Sequence, residues 1–188
     1  APGRAIDAAL VREADVLLVR SVTRVDAALL AGSRVRFVAT ATAGIDHVRV
    51  EELEALGIRF AHAPGSNADS VVDYVLAVLA LAFPPPAGLA GRSVGIVGCG
   101  QVGARLLARL RALGVRCRVY DPLLTRDVPA EAGALADALA CDVVSLHVPL
   151  TEAGEYATRH LIDARRVAGL CDDALLINAA RGAVVDNA

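Results

Sequence analysis

The chain has 188 residues, 55% of them hydrophobic but only 3% aromatic, with nineteen basic side chains that are all arginine and a formal net charge of -2. Such a length can bury a substantial core and hold one large domain or two small ones. The near-neutral charge gives no broad basic field, which argues against nucleic acid as a partner, and the longest apolar run, VLAVLALAF at 75–83, is too short to cross a bilayer.

Short β-branched runs alternate with helical patterns along the whole chain. Strands are predicted at 16–20, 36–41, 58–63, 93–98, 117–121, 142–147 and 174–179. Helices are predicted at 25–31, 50–57, 70–83, 101–114, 134–140 and near 163–170. This alternation, with short turns between, predicts parallel βαβ units, and the near-continuous apolar strands suit a sheet covered on both faces. The core must rest on Ala, Val and Leu. At 83–92 the sequence FPPPAGLAGR stops a long apolar helix with three consecutive prolines, each lacking an N–H donor. That stretch reads as a hinge between two domains, 1–87 and 88–188.

Cys99, Cys117, Cys141 and Cys171 are widely spaced and form no CxxC pair. No metal site is expected from them; each lies in or beside a predicted core element, as buried reduced thiols of a cytosolic protein would. The opening APGRAIDAAL lacks the basic start and apolar block of a signal peptide. A cytoplasmic location is the expectation.

The strongest chemical signal is SVGIVGCGQVGARLLARL at 93–110. Gly98, Gly100 and Gly103 form G-x-G-x-x-G directly after an apolar strand and at the start of an amphipathic helix. The first glycine permits the tight turn, the second lets a pyrophosphate approach the backbone, and the third allows close helix–sheet packing. The helix N-terminus adds free N–H groups and partial positive charge. The next predicted strand ends in Asp121, at the spacing expected of a carboxylate that accepts from ribose hydroxyls and repels a 2′-phosphate. NAD is therefore favoured over NADP, with Arg126 just downstream leaving some room for the latter.

Two further strand ends carry polar groups. DVVSLHVPLT delivers His147, Val148 and Pro149 to the carboxyl edge of the sheet, where ligands bind in such folds. His147 is a candidate base there, although a histidine at the end of a buried strand is more often structural. ALLINAARG delivers Arg181, whose planar fork suits a carboxylate but which could equally be a solvated turn residue.

Taken together, the glycine loop with Asp121, the run LHVPLT…TRHLID and INAARGAVVDN resemble the D-isomer-specific 2-hydroxyacid dehydrogenases. The upstream runs VRSVTRV, FVATATAGIDHV and APGSNADSVVDYV narrow the resemblance to a branch that acts on a phosphorylated hydroxy acid. The resemblance implies a Rossmann-like doubly wound parallel sheet plus a smaller flavodoxin-like α/β substrate lobe, both incomplete in this sequence. It implies that Arg181 is the catalytic arginine and that Ala179 and Ala180 line the nicotinamide side. Gln101 and Val102 would meet the pyrophosphate through backbone N–H groups, Val148 would lie beside the cofactor, and Asp121 would hold the ribose. Ser21, with Arg20 nearby, and Thr42 would contact the substrate. The family completes its catalytic set with a glutamate and a histidine on later strands, for which this sequence has no matching residue. NAD binding without turnover is the expectation for this chain, and a homodimer for the whole protein. The same resemblance admits a different D-2-hydroxyacid dehydrogenase, such as one acting on 3-phosphoglycerate, and a non-catalytic NAD-sensing module of the corepressor kind.

Overall fold

A computed structural model describes residues 6–42, 44–125 and 127–188, which fall into two compact units, Ala1–Asn67 and Ala68–Ala188. In the first unit the elements run α1 (Ala8–Val11), β1 (Val16–Val19), α2 (Ala27–Leu30), β2 (Phe37–Thr40), α3 (Val50–Ala55) and β3 (Arg59–His62). The strands form a parallel sheet in the order β1-β2-β3. Two of the short helices start on aspartates in extended conformation: Asp7 accepts from the Leu10 N–H and Asp26 from the Leu29 N–H. Each carboxylate satisfies a first-turn donor that the helix itself leaves unpaired. Val25, Val38 and Leu53 form the fully buried centre of this unit. Among the described residues this sheet is not covered on both faces as expected. Alternate residues of β1 face outward, and Leu18 is 71% exposed.

The second unit contains α4 (Ala68–Ala82), β4 (Ser93–Val97), α5 (Gln101–Ala112), β5 (Arg116–Tyr120), α6 (Leu135–Leu139), β6 (Val143–Leu146), α7 (Ala164–Ala168) and β7 (Leu175–Asn178), then a 3₁₀ turn at Gly182–Val184. All four strands are parallel, in the order β5-β4-β6-β7. Here the two-sided burial does hold: every residue of β6, and all of β4 after Ser93, is buried. One core layer joins Val72, Val75 and Leu79 of α4 to Leu106, Leu107 and Leu110 of α5. The opposite layer joins Val97, Val144 and Leu146 to Ala138, Ile162 and Val184. Two devices fix the sheet. Asp142 accepts from both the backbone N–H and the hydroxyl of Ser93, each at 2.7 Å, and this locks the starts of β4 and β6 together. Those hydrogen bonds hold the Asp142 carboxyl below its ordinary range. The open edge of β5 is covered by the segment around Glu131, with Val119 N–H donating to the Glu131 carbonyl and Gly133 N–H to the Val119 carbonyl. Arg111 of α5 grips the Glu131 carboxylate with two donors, which holds this segment against the middle of the β5 edge.

All seven predicted strands form, with ends within two residues of expectation. Among the described residues the α-helix not anticipated is α1, a single turn too short to show a period. Gly95 is the least expected packing residue. A Cβ there would lie 1.9 Å from the carbonyl oxygen of Ala138, so α6 sits directly on the β4 backbone. Three of the cysteines are buried as expected, but Cys171 is exposed, which corrects the reading of all four as core thiols. It follows α7 in the turn leading to β7, outside the packed layers. Among the described residues no helix is long and apolar enough to cross a membrane.

Candidate functional site

The chain leaves β4 toward β5 on one side of the sheet and returns to β6 on the other, so the strand order reverses between β4 and β6. Ligands in open parallel sheets bind at the carboxyl ends of the strands where this reversal occurs. The glycine loop follows β4 at that point. Gly98 has φ +94, and a Cβ on it would lie 2.8 Å from the carbonyl carbon of His147. A side chain there would thus meet both backbone strain and the end of β6. A Cβ on Gly103 would lie 2.0 Å from the Gly98 carbonyl oxygen, which requires a glycine for the helix to pack under the loop. Gly100 differs from both, because a Cβ on it would meet no atom within 4 Å. Its bare backbone borders open space, the room an approaching phosphate needs.

The first turn of α5 is fitted to an anion. Its N-cap is Gly100, no side chain caps it, and it carries no acidic residue. No carboxylate within that turn offsets its N–H groups and dipole. Asp121, immediately after β5, approaches from the neighbouring strand. Its Oδ2 accepts from the Cys99 N–H at 2.8 Å and its Oδ1 from the Leu123 N–H at 3.1 Å. The carboxylate is held rigidly against the loop and retains lone pairs for further donors. Gly98, Gly100, Tyr120, Asp121, His147 and Val148 are among the residues around a cavity of about 260 Å³ at this edge. The loop after β6 forms another wall, pinned where the Thr158 hydroxyl donates to the Pro149 carbonyl and accepts from the Thr151 N–H. Arg126 lies outside the described residues.

His147 has a structural environment. Its Nε2 lies 2.9 Å from the hydroxyl of Ser145, a fully buried residue on the same face of β6, and its Nδ1 is buried with no hydrogen-bond partner in the described structure. Burial pushes its pKa down to about 4. The ring is therefore neutral near pH 7, and among the described residues no carboxylate pairs with it to make it a strong base. Ser145 was not singled out in the sequence, although its place two residues before His147 on a strand puts both side chains on one face.

At the end of β7 the Asn178 side chain closes the turn that carries Arg181. Its Nδ2 donates to the Arg181 carbonyl and its Oδ1 accepts from the Ala180 N–H. Arg181 also returns a guanidinium N–H to the Ala180 carbonyl at 3.2 Å. Ala179, Ala180 and Arg181 thus share the sheet edge with the glycine loop, Asp121 and Val148. In the first unit, Ser21 and Thr42 follow the carboxyl ends of β1 and β2. Ser21 is exposed, while the Thr42 hydroxyl donates to the Gly44 carbonyl at 2.9 Å.

Residues 81–188 match the model of the D-isomer specific 2-hydroxyacid dehydrogenase NAD binding domain. Two curated relatives are erythronate-4-phosphate dehydrogenases. That of Chromohalobacter salexigens is 56% identical across 99% of this chain and 49% of its own length. That of Cellvibrio japonicus is 54% identical across 99% of this chain and 48% of its own length. The chain therefore spans about half the length of these relatives. Among solved structures, the NAD+-bound 3-phosphoglycerate dehydrogenase of Entamoeba histolytica superposes with a TM-score of 0.83 at 26% identity, over 99% of this chain and 62% of that one. The D-lactate dehydrogenase of Aquifex aeolicus, complexed with NAD and lactic acid, gives 0.79 at 26% identity, over 96% and 61%. The chain belongs to the D-isomer specific 2-hydroxyacid dehydrogenase family, and the dinucleotide for which its second unit is built is NAD.

Proposed function

We propose that the protein carrying this chain oxidises 4-phospho-D-erythronate to 2-oxo-3-hydroxy-4-phosphobutanoate with NAD, a step of pyridoxal 5′-phosphate biosynthesis. The observation that carries the reading is the high identity, spread over 99% of the chain, to relatives named for that activity. In this reading residues 1–87 belong to the substrate lobe, except that α4 packs on the cofactor domain of residues 88–188, in a cytoplasmic homodimer.

Each residue's part follows from its chemistry. The backbone N–H groups of Gln101 and Val102 bind the pyrophosphate, with Gly98, Gly100 and Gly103 giving it access. Asp121 accepts from the adenosine ribose hydroxyls, and its charge excludes a 2′-phosphate. Val148, Ala179 and Ala180 give small, apolar contacts that keep water from the nicotinamide. When bound, NAD supplies the hydride acceptor. Arg181 is the catalytic residue of this chain: its permanent charge and planar fork hold the substrate carboxylate and the oxygen on the reacting carbon. Ser21 and Thr42 offer hydroxyls to the substrate, and Arg20 suits its phosphate.

The test is NADH formation by the full-length protein with 4-phosphoerythronate and, separately, with 3-phosphoglycerate. The expected result is turnover of the first, with Arg181→Gln lowering kcat/KM by about a hundredfold or more, the scale for losing a charged group that acts on the reacting centre. Preference for 3-phosphoglycerate would replace the substrate assignment. NAD binding without turnover of either acid would favour the sensing module.

A further inference from the structure

Arg105 lies four residues into α5, and its side chain turns back toward the start of the helix, as the geometry of helical side chains favours. Its Nη1 donates to the Gln101 carbonyl at 2.7 Å and to the Gln101 side-chain Oε1 at 2.9 Å. Its Nε lies 3.7 Å from Asp69 Oδ2, at the start of α4. The guanidinium is thus fastened to the first residue of α5, the turn that has no side-chain cap and no acidic residue. These bonds also occupy the Gln101 amide oxygen, leaving that residue's backbone N–H as its contribution to an anion. The contact with Asp69 is of a different kind. It is longer, and the Asp69 carboxylate is 65% exposed, so it contributes little to stability.

We propose that Arg105 is a positioning residue for the dinucleotide pyrophosphate, raising the positive potential of the α5 first turn, and that Asp69 moderates this potential. The inference rests on the assignment of NAD to the second unit. Arg105 does not replace the backbone donors. It adds a fixed charge behind them and holds the Gln101 peptide in place. Asp69, an opposite charge 3.7 Å from the guanidinium Nε, cancels part of that field.

The sign of two substitutions separates this role from a structural one. An exposed charge acting over one helical turn in a water-like dielectric changes anion affinity about threefold, less as salt rises. NAD and ADP-ribose affinities of the full chain are measured by calorimetry at low and high salt, with adenosine as the ligand that lacks phosphate. Arg105→Gln is expected to weaken NAD and ADP-ribose about threefold at low salt and to flatten the salt dependence. Arg105→Lys is expected to recover most of the loss. Asp69→Asn is expected to tighten both ligands by up to about twofold, since it removes the opposing charge. Adenosine affinity should stay unchanged in all three. If Arg105→Gln and Asp69→Asn weaken binding alike, or if adenosine weakens in parallel, the contacts are structural and the proposal fails. Unchanged NAD affinity in Arg105→Gln overturns it while leaving the cofactor assignment intact, whereas failure of the unsubstituted chain to bind NAD overturns both.

Discussion

His147 makes the stability of the second unit depend on pH in a calculable way. Its pKa is depressed from 6.5 to about 4 by burial. Above pH 6.5 the ring is neutral in the folded and unfolded states, so it contributes no slope. Between 6.5 and 4 the unfolded chain takes up a proton that the folded one resists. Stability therefore falls as pH falls, by about 1.4 kcal/mol per unit. Below 4 both states are protonated and the slope vanishes. The span of about 2.5 units gives an upper figure of about 3 kcal/mol, a large share of the 5–15 kcal/mol typical of a domain. The assay is urea unfolding of the unsubstituted chain and of His147→Gln at pH 7.5, 6.5, 5.5 and 4.8. Carboxyls held below their ordinary range by hydrogen bonds, such as Asp26, Glu131 and Asp142, destabilise both proteins alike on acidification, so the difference between the two isolates the imidazole. The stability difference is expected to be flat from pH 7.5 to 6.5 and to shift steadily in favour of His147→Gln below that. Parallel curves down to pH 4.8 would refute the burial argument and require a protonated His147 with a partner in the folded state.

Gly95→Ala should cost about 2–3 kcal/mol through overpacking, since its Cβ would sit inside the Ala138 carbonyl, and the thermal midpoint measures it. Gly100→Ala should leave that midpoint almost unchanged, because its Cβ meets nothing, while weakening NAD binding about tenfold or more by blocking the pyrophosphate. Asp121→Ala removes the acceptor of the Cys99 and Leu123 N–H groups; calorimetry should show NAD affinity down about tenfold and the preference over NADP reduced. Alkylation of the native chain should label Cys171 rapidly and spare Cys99, Cys117 and Cys141 until denaturant is added. Those three are buried, and burial raises their thiol pKa values, that of Cys117 to about 11.

The strands were legible because β-branched runs bounded by helical patterns leave little choice, and in the second unit the apolar runs of β4 and β6 do correspond to two-sided burial. The first unit departs from that rule at β1. VLLV reads as continuously apolar, yet its alternate residues point to opposite faces and one of those faces is exposed. Hydrophobicity states that a residue can be buried, and what covers it is a tertiary fact. Cys171 fails for the same reason, since proximity to an element in sequence does not place a thiol inside the layers. The helix α1 was missed because one turn capped by Asp7 has no period to detect.

The glycine motif shows how far a pattern reaches into physics. G-x-G-x-x-G predicts three roles, and the three positions separate by what a methyl group would meet: the end of β6 at Gly98, open space at Gly100 and the loop's own carbonyl at Gly103. Gly95 stands three residues before the motif and is equally intolerant of a side chain, but its neighbour belongs to α6, more than forty residues later in the chain. A glycine inside a strand run is a signal of close backbone approach, so the position was detectable although the partner was not. The same limit governs His147. Its place at the sheet edge followed from the strand pattern, but its neutrality comes from burial, which only the packed layers create. Local spacing therefore placed the glycine loop after β4, at the carboxyl edge of the sheet. The protonation states and the contacts that tune it, from Ser145 behind His147 to Arg105 behind Gln101, required the assembled sheet and helices.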